Sequence, residues 1–458
     1  PILVQKSVGY LNGTKHNCSL SFVEALLFLI TVLVSTSAGC AALRESGLIP
    51  TLIPFLKDTN PSHTHLVASG VHILEAFMDF SNPATILFRD LGGLDDAITR
   101  LEVEINRVKD YMHKVRENLP CLDKGELPVE HMDEKHDVDL QTESVISFQS
   151  RLLLKVLLRA ISLGTYAPGT ATRIHCSEEN VLASCMCTIF RHAKDFGGGV
   201  FSLAASLMSD LIHKDPTCFQ TLDSAGLPAA FLESINDVLP STEAVSCIPH
   251  SLDALCLNNV GLQAVKDRNA LHCLIKIFTS KLYLRALANE TPTLLAAGLD
   301  ELMRHAPSLR GDGVDACIEI LKTIATIGGF VDTDSKQSQN ETDGDASVPM
   351  EADSEVVGQQ SEIATFEVGQ QSEATPSEIE TTESFLLEYI HNAARLLENL
   401  LQNADTSRMF VEKKGVEAIL NLFSLPNLPV SFGGSSVAHS MSSPFRAFSP
   451  SHAIPLSR

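Results

Sequence analysis

Tryptophan is absent from this chain, aromatic residues make up only 6% of it, and no run of Lys or Arg is longer than two. The first two shortages argue against an aromatic-lined ligand barrel and against a β-sandwich, whose strands draw on aromatic and β-branched residues. The third, with a formal net charge of −22, makes nucleic acid an unexpected partner, because phosphate backbones repel such a surface. Long apolar runs are also missing. The longest, Ala25 to Val34, is preceded by Glu24 and followed by Ser35, Thr36 and Ser37, and it reaches only half of the roughly 20 residues that a bilayer needs. It is expected as a buried helix, and no membrane partner or signal peptide is expected. Sustained period-two alternation and hairpin turns between β-branched runs are lacking as well.

What is present is Leu, Ala, Ile and Val, the palette of helix-on-helix packing. The 458 residues are enough for two or three domains or for one long repeat array. Eleven Cys are scattered among apolar neighbours. An odd number in a large chain fits core residues in a reducing, cytoplasmic or nuclear setting better than a disulfide scaffold. The chain opens on Pro1 and stops at Arg458, and it is expected to be an excerpt of something longer.

The most informative pattern is a recurring phrase of polar residues, Gly, an aliphatic residue, often Pro, and then apolar residues at helical spacing. It runs from Arg44 through Gly47-Leu48-Ile49-Pro50 to Leu56. It returns at Gly92-Gly93-Leu94, at Gly226-Leu227-Pro228, in degenerate form at Asn269-Ala270, and at Lys414-Gly415-Val416. Gly, or Asn, is expected to end one helix in the left-handed conformation while the next begins at once. Gly47 and Gly93 are 46 residues apart, and Gly226 and Asn269 are 43 apart. These are armadillo or HEAT periods, and such units bury their faces only by stacking. Helix starts are expected at Asn82-Pro83, Asp215-Pro216 and Thr291-Pro292, and at a capping box Ser21 to Glu24.

The fold class is therefore all-α, an armadillo/HEAT-like α-solenoid. Repeats are expected over 1–120, 144–330 and 384–430. An acidic loop is expected at 121–143, a disordered acidic low-complexity insertion at 331–383, and a Ser/Pro-rich connector at 431–458.

No residue presents itself for chemistry. His175, Cys176, Cys185, Cys187 and His192 are the densest metal-like cluster, but Cys185 and Cys187 on one helix point about 200° apart, so core cysteines are expected and no metal. Asp195-Phe196-Gly197-Gly198-Gly199 lacks the companions of a kinase or P-loop motif and reads as a break between helices. His131 and His136 do not form a zinc-binding pair. Catalytic, cofactor-binding and metal residues are all expected to be none, and so are cofactors.

The stretch Leu252 to Gln263 (LDALCLNNVGLQ), continuing at Ala297 to Arg310 (AGLDELMRHAPSLR), resembles the N-terminal armadillo-like region of giant HECT-type E3 ubiquitin ligases, above all those of plants. The likeness extends over about 15–330 and from 384 onward. It implies a scaffold that gathers protein substrates for ubiquitination. In that family the ubiquitin thioester forms on a Cys of a C-terminal HECT domain, and E2 and ubiquitin are met there. That domain's pattern is absent here, so none of the eleven Cys inherits the role. The alternative is a free-standing armadillo-like adaptor without ligase activity. An adaptor of the importin kind would need regularly placed Trp, which this chain lacks.

Overall fold

The computed structural model describes residues 2–11, 19–117, 146–165, 180–330, 376–429 and 432–447. Every regular element among them is helical. The chain divides into two compact units, 1–316 and 317–458.

The first unit is built on a row of helices, each packed against the next: Leu20–Val34, Thr64–Phe80, Phe148–Gly164, Gly198–Lys214, Ile248–Cys256 and Thr291–His305. Further helices lie between them in pairs. Ser37–Glu45 and Leu48–Leu52 precede the second row helix, Asn82–Asp90 and Gly93–Glu117 the third, Phe219–Ser224 and Leu227–Ser234 the fifth, and Asn259–Asp267 and Cys273–Thr279 the sixth. Two paired helices and one row helix make the three-helix armadillo unit. The helix Val181–Arg191 stands before the fourth row helix, and what precedes it lies outside the described residues.

Local sequence explains the punctuation. Side chains of Thr36, Asp215 and Asn258 accept from backbone N–H groups at the starts of three first helices, which satisfies donors that the helix leaves unpaired. At the other junction the Ser81 hydroxyl accepts instead from Arg44 Nη1 of the preceding repeat, at 2.7 Å. Asn82 and Thr291 were expected as caps, but both are already helical, and Thr291 turns its hydroxyl back to the Ala288 carbonyl. The capping box also starts two residues early. Ser19 accepts from the Phe22 amide, and Glu24 is left to reach His65.

The turns between paired helices are left-handed at Gly47, Gly92, Gly226 and Asn269. In the 92–93 copy the left-handed residue is therefore Gly92 and not Gly93, which is already the first helical residue. Gly93 is small for another reason: a Cβ there would lie 2.4 Å from the Phe88 ring.

The core is mostly aliphatic, with buried Phe side chains among it and a cluster of three rings in the first unit. Phe190 stands edge-on to Phe201 and Phe231, with centroids 5.5 and 5.4 Å away. Each of these rings is at most 2% exposed, and burying such a side chain stabilises by about 3 kcal/mol. The apolar helix Leu20–Val34 is only half as buried as expected. Val23, Leu27, Ile30 and Val34 face inward, while Phe28 is 72% exposed and Leu29 and Val32 lie beside it. No single helix among the described residues is long and apolar enough to cross a membrane.

In the second unit the long helix is Pro376–Leu400. It begins eight residues before the expected Ser384, with Pro at the first helical position. Ala404–Glu412 and Gly415–Phe423 follow, capped by Asn403 and joined through left-handed Lys414. Here too the expected Gly415 is not the left-handed residue. The expected connector also folds: Ser436–Ser442 packs on the long helix, with Met441 fully buried and the Ser443 hydroxyl donating to Glu398. Its few apolar residues sit at buried positions among many Ser, which hides them in a composition count. The expected acidic loop 121–143 and almost all of the insertion 331–383 lie outside the described residues.

Candidate protein-binding face

From the second onward, the row helices of the first unit hide most of their apolar residues against one another and carry polar side chains along one edge, whereas the first, Leu20–Val34, leaves Phe28, Leu29 and Val32 exposed. Along that edge each helix reaches its neighbour through side chains rather than backbone. His65 Nε2 lies 2.9 Å from Glu24 Oε1. Arg159 Nη1 stands 3.9 Å from Glu75, and the Ser162 hydroxyl donates to Asp210 at 2.9 Å. The next link is buried: Ser251 Oγ stands 3.1 Å from Ser209 Oγ, whose own hydrogen goes to the Ala205 carbonyl. Farther on, Asp253 faces His213 and His305. Apart from Arg159–Glu75, which spans 84 residues, these links join residues 40 to 52 apart.

Charge along this edge is mixed. Glu75 bonds His72 and raises its proton affinity above that of ordinary imidazole, against the opposing effect of burial. Burial lowers that of Lys214, with Asp210 opposing it. Between the second, third and fourth row helices lies an open groove of about 250 Å³, with an apolar floor of Leu158, Leu203 and Leu207 and a rim of Glu75, Asp79 and Arg159. It can hold a side chain of a partner. A larger groove of about 750 Å³ lies beside Tyr111 and Arg107.

The residues considered from sequence fall elsewhere. Cys185 and Cys187 are both buried in Val181–Arg191. Burial pushes the Cys185 thiol up to about 12 and raises Cys187 as well, so neither is a ready thiolate. His192 ends that helix, with Nδ1 3.8 Å from Asp195. His175, Cys176, His131 and His136 lie outside the described residues. Gly197, at positive φ but extended ψ, is the break before Gly198–Lys214, and Gly199 lies under the Lys155 side chain. Among the described residues no group of three or more His, Cys, Asp or Glu is arranged to hold a metal.

Sequence reasoning missed a buried charged cluster. Arg100, fully buried, donates from Nε to Glu104 at 2.9 Å and from Nη1 to the Asp58 carbonyl. Arg107 adds bonds to Glu104 and to the Thr59 carbonyl. The cluster ties the helix Gly93–Glu117 to the loop of the preceding repeat. Its only sequence signal is the Arg-Glu spacing of four on one helix face.

Known proteins supply the remaining context. The family described as Domain of Unknown Function (DUF913) matches residues 69–431. The E3 ubiquitin-protein ligase UPL1 of Arabidopsis thaliana is 54% identical over the whole of this chain, which covers 12% of that protein. The mouse E3 ubiquitin-protein ligase HUWE1 is 27% identical over 96% of this chain and 11% of its own length. Among solved structures, a designed armadillo repeat protein aligns with 65% of this chain and 99% of its own, at 15% identity and a TM-score of 0.41. The chain thus spans about one eighth of the length of these curated relatives.

Proposed function

The chain belongs to the DUF913 family, and from that premise we propose that it is the substrate-recruiting and architectural solenoid of a giant HECT-type E3 ubiquitin ligase. The observation that carries the reading is the 54% identity to the ligase UPL1 across the full chain. The structure supports it with a stacked row of helices and a groove that can take a partner's side chain. In this reading the catalytic thiol lies in a HECT domain elsewhere in the parent, and E2 and ubiquitin are met only there. Protein substrates touch the row-helix face. The compartment is the cytoplasm or nucleus, supported by eight described cysteines that all carry free thiols.

The test is to delete the sequence of this chain from the full-length parent. Ubiquitin thioester formation on the parent is expected to persist, while ubiquitin-remnant proteomics loses a defined set of substrates. An unchanged substrate set would overturn the recruiting role. A parent that forms no ubiquitin thioester would leave the free-standing adaptor.

A further inference from the structure

Three consecutive row helices meet at one carboxylate. Asp253, on Ile248–Cys256, is 5% exposed. His305 Nδ1, from Thr291–His305, stands 2.9 Å from its Oδ1, and His213 Nε2, from Gly198–Lys214, stands 3.6 Å from its Oδ2. The opposite nitrogen of His213, Nδ1, lies 2.9 Å from the Ser209 carbonyl oxygen. That oxygen can only accept, so Nδ1 carries the hydrogen. In the neutral ring Nε2 then holds a lone pair and looks at a carboxylate oxygen, acceptor against acceptor. One proton on Nε2 turns this opposition into a charge-assisted hydrogen bond. His305 differs, because its Nδ1 can donate to Asp253 while the ring is neutral.

We propose that His213 is a proton-operated clamp, which when charged ties three successive repeats together through Asp253 and when neutral loosens them. Imidazole is the side chain whose ordinary titration falls between about pH 5 and 8. The other groups facing the site are engaged or fixed. On the His213 helix, Asp210 accepts from Ser162 and Lys214 reaches Thr165. On the Asp253 helix, the His250 ring lies parallel to His213 with centroids 4.9 Å apart, so a second charge there opposes the first. Burial, then the Asp253 charge, pushes the Cys256 thiol up to about 12, which keeps it neutral. On the third helix Arg304 is paired with Asp300 at 3.0 Å, and Glu301 is exposed. The Ser209–Ser251 bond beneath holds the first two helices in register.

The test is hydrogen exchange on the 458-residue chain at about pH 8 and about pH 5.5, read as protection factors so that intrinsic rates cancel. On acidification, protection of the Ile248–Cys256 and Thr291–His305 amides is expected to rise about fivefold relative to Thr64–Phe80. In H213Q, whose amide donates at every pH, these helices should stay at the higher level and not respond. H305Q, which keeps His213, should retain the rise. The proposal is overturned if H213Q shows the same rise, if the wild type shows none, or if imidazole ¹⁵N spectra put the hydrogen of neutral His213 on Nε2.

Discussion

The turn at Gly92-Gly93 and the turn at Gly226-Leu227 have the same backbone, with φ of 78° and 77° at their first residues, yet they are filled in opposite ways. Five residues before Gly93 stands Phe88, 1% exposed, and its ring occupies the space a Cβ on Gly93 would need. Five residues before Leu227 stands the smaller Leu222, also buried. The turn at 414–415 repeats the first solution, with Phe410 against Gly415 at 2.5 Å from a notional Cβ. So one glycine of the phrase serves the backbone and the other serves an aromatic ring. The helices that follow differ too. Seven residues beyond Gly93 is the buried Arg100, and seven beyond Leu227 is the half-exposed Ser234. Similar repeats thus rest on volume and charge that are traded position by position.

The largest break in this comparison comes from Arg100→Met. It leaves Glu104, 4% exposed at its side chain, with Arg107 as its remaining ion-pair partner and frees the Asp58 carbonyl. A loss of about 4 kcal/mol is expected in urea unfolding, whereas Ser234→Ala at the corresponding place should stay within about 0.5 kcal/mol. A loss under about 1 kcal/mol for R100M would mean that the buried pair does not anchor the helix.

Next is Gly93→Ala, expected to cost about 2 kcal/mol through overpacking against Phe88. The double variant F88L/G93A copies the smaller pairing of the other turn and should recover at least half of that loss. If the two substitutions simply add, the volume exchange is not what relates the turns. The backbone role separates cleanly from this. Gly226→Ala should cost about 1 kcal/mol, because φ is positive there, while Lys414→Gly, at φ 64°, should stabilise by about 0.5–1 kcal/mol. Thermal unfolding reads both, and equal signs would refute the assignment.

These turns also mark how far the sequence could be read. Gly47, Gly226 and Asn269 were legible because a left-handed residue followed by helical apolar spacing is a local signal. At Gly93 and Gly415 the left-handed residue stands one position earlier than the phrase suggests, because their smallness answers to a ring five residues back and not to their own φ. The buried state of Cys185 and Cys187 was legible from their apolar neighbours. The polar links of the row face did not. His65 to Glu24, Ser162 to Asp210 and His305 to Asp253 join residues 41 to 52 apart, and no local pattern encodes which residue one repeat away will lie opposite. The folded segment after Phe432 was hidden for a related reason: its two deepest anchors, Phe432 and Met441, are too few to show through the surrounding Ser.

The smallest expected effect sharpens the comparison of buried with exposed charge. Lys194 and Lys276, from neighbouring repeats, both reach Asp237, at 2.6 and 2.7 Å. The bond from Lys194, then that from Lys276, holds the Asp237 carboxyl down at about 2. A depressed carboxyl stabilises the fold above its unfolded value, near 4, and that contribution is lost as pH falls from about 4 to about 2. Unlike Arg100, all three groups are roughly half exposed or more, so water screens them. Asp237→Asn should therefore cost no more than about 0.5 kcal/mol at neutral pH, and the difference from wild type should vanish by about pH 2. A cost comparable to that of R100M would show that reach across the repeat boundary, and not burial, decides what a charge contributes in this array.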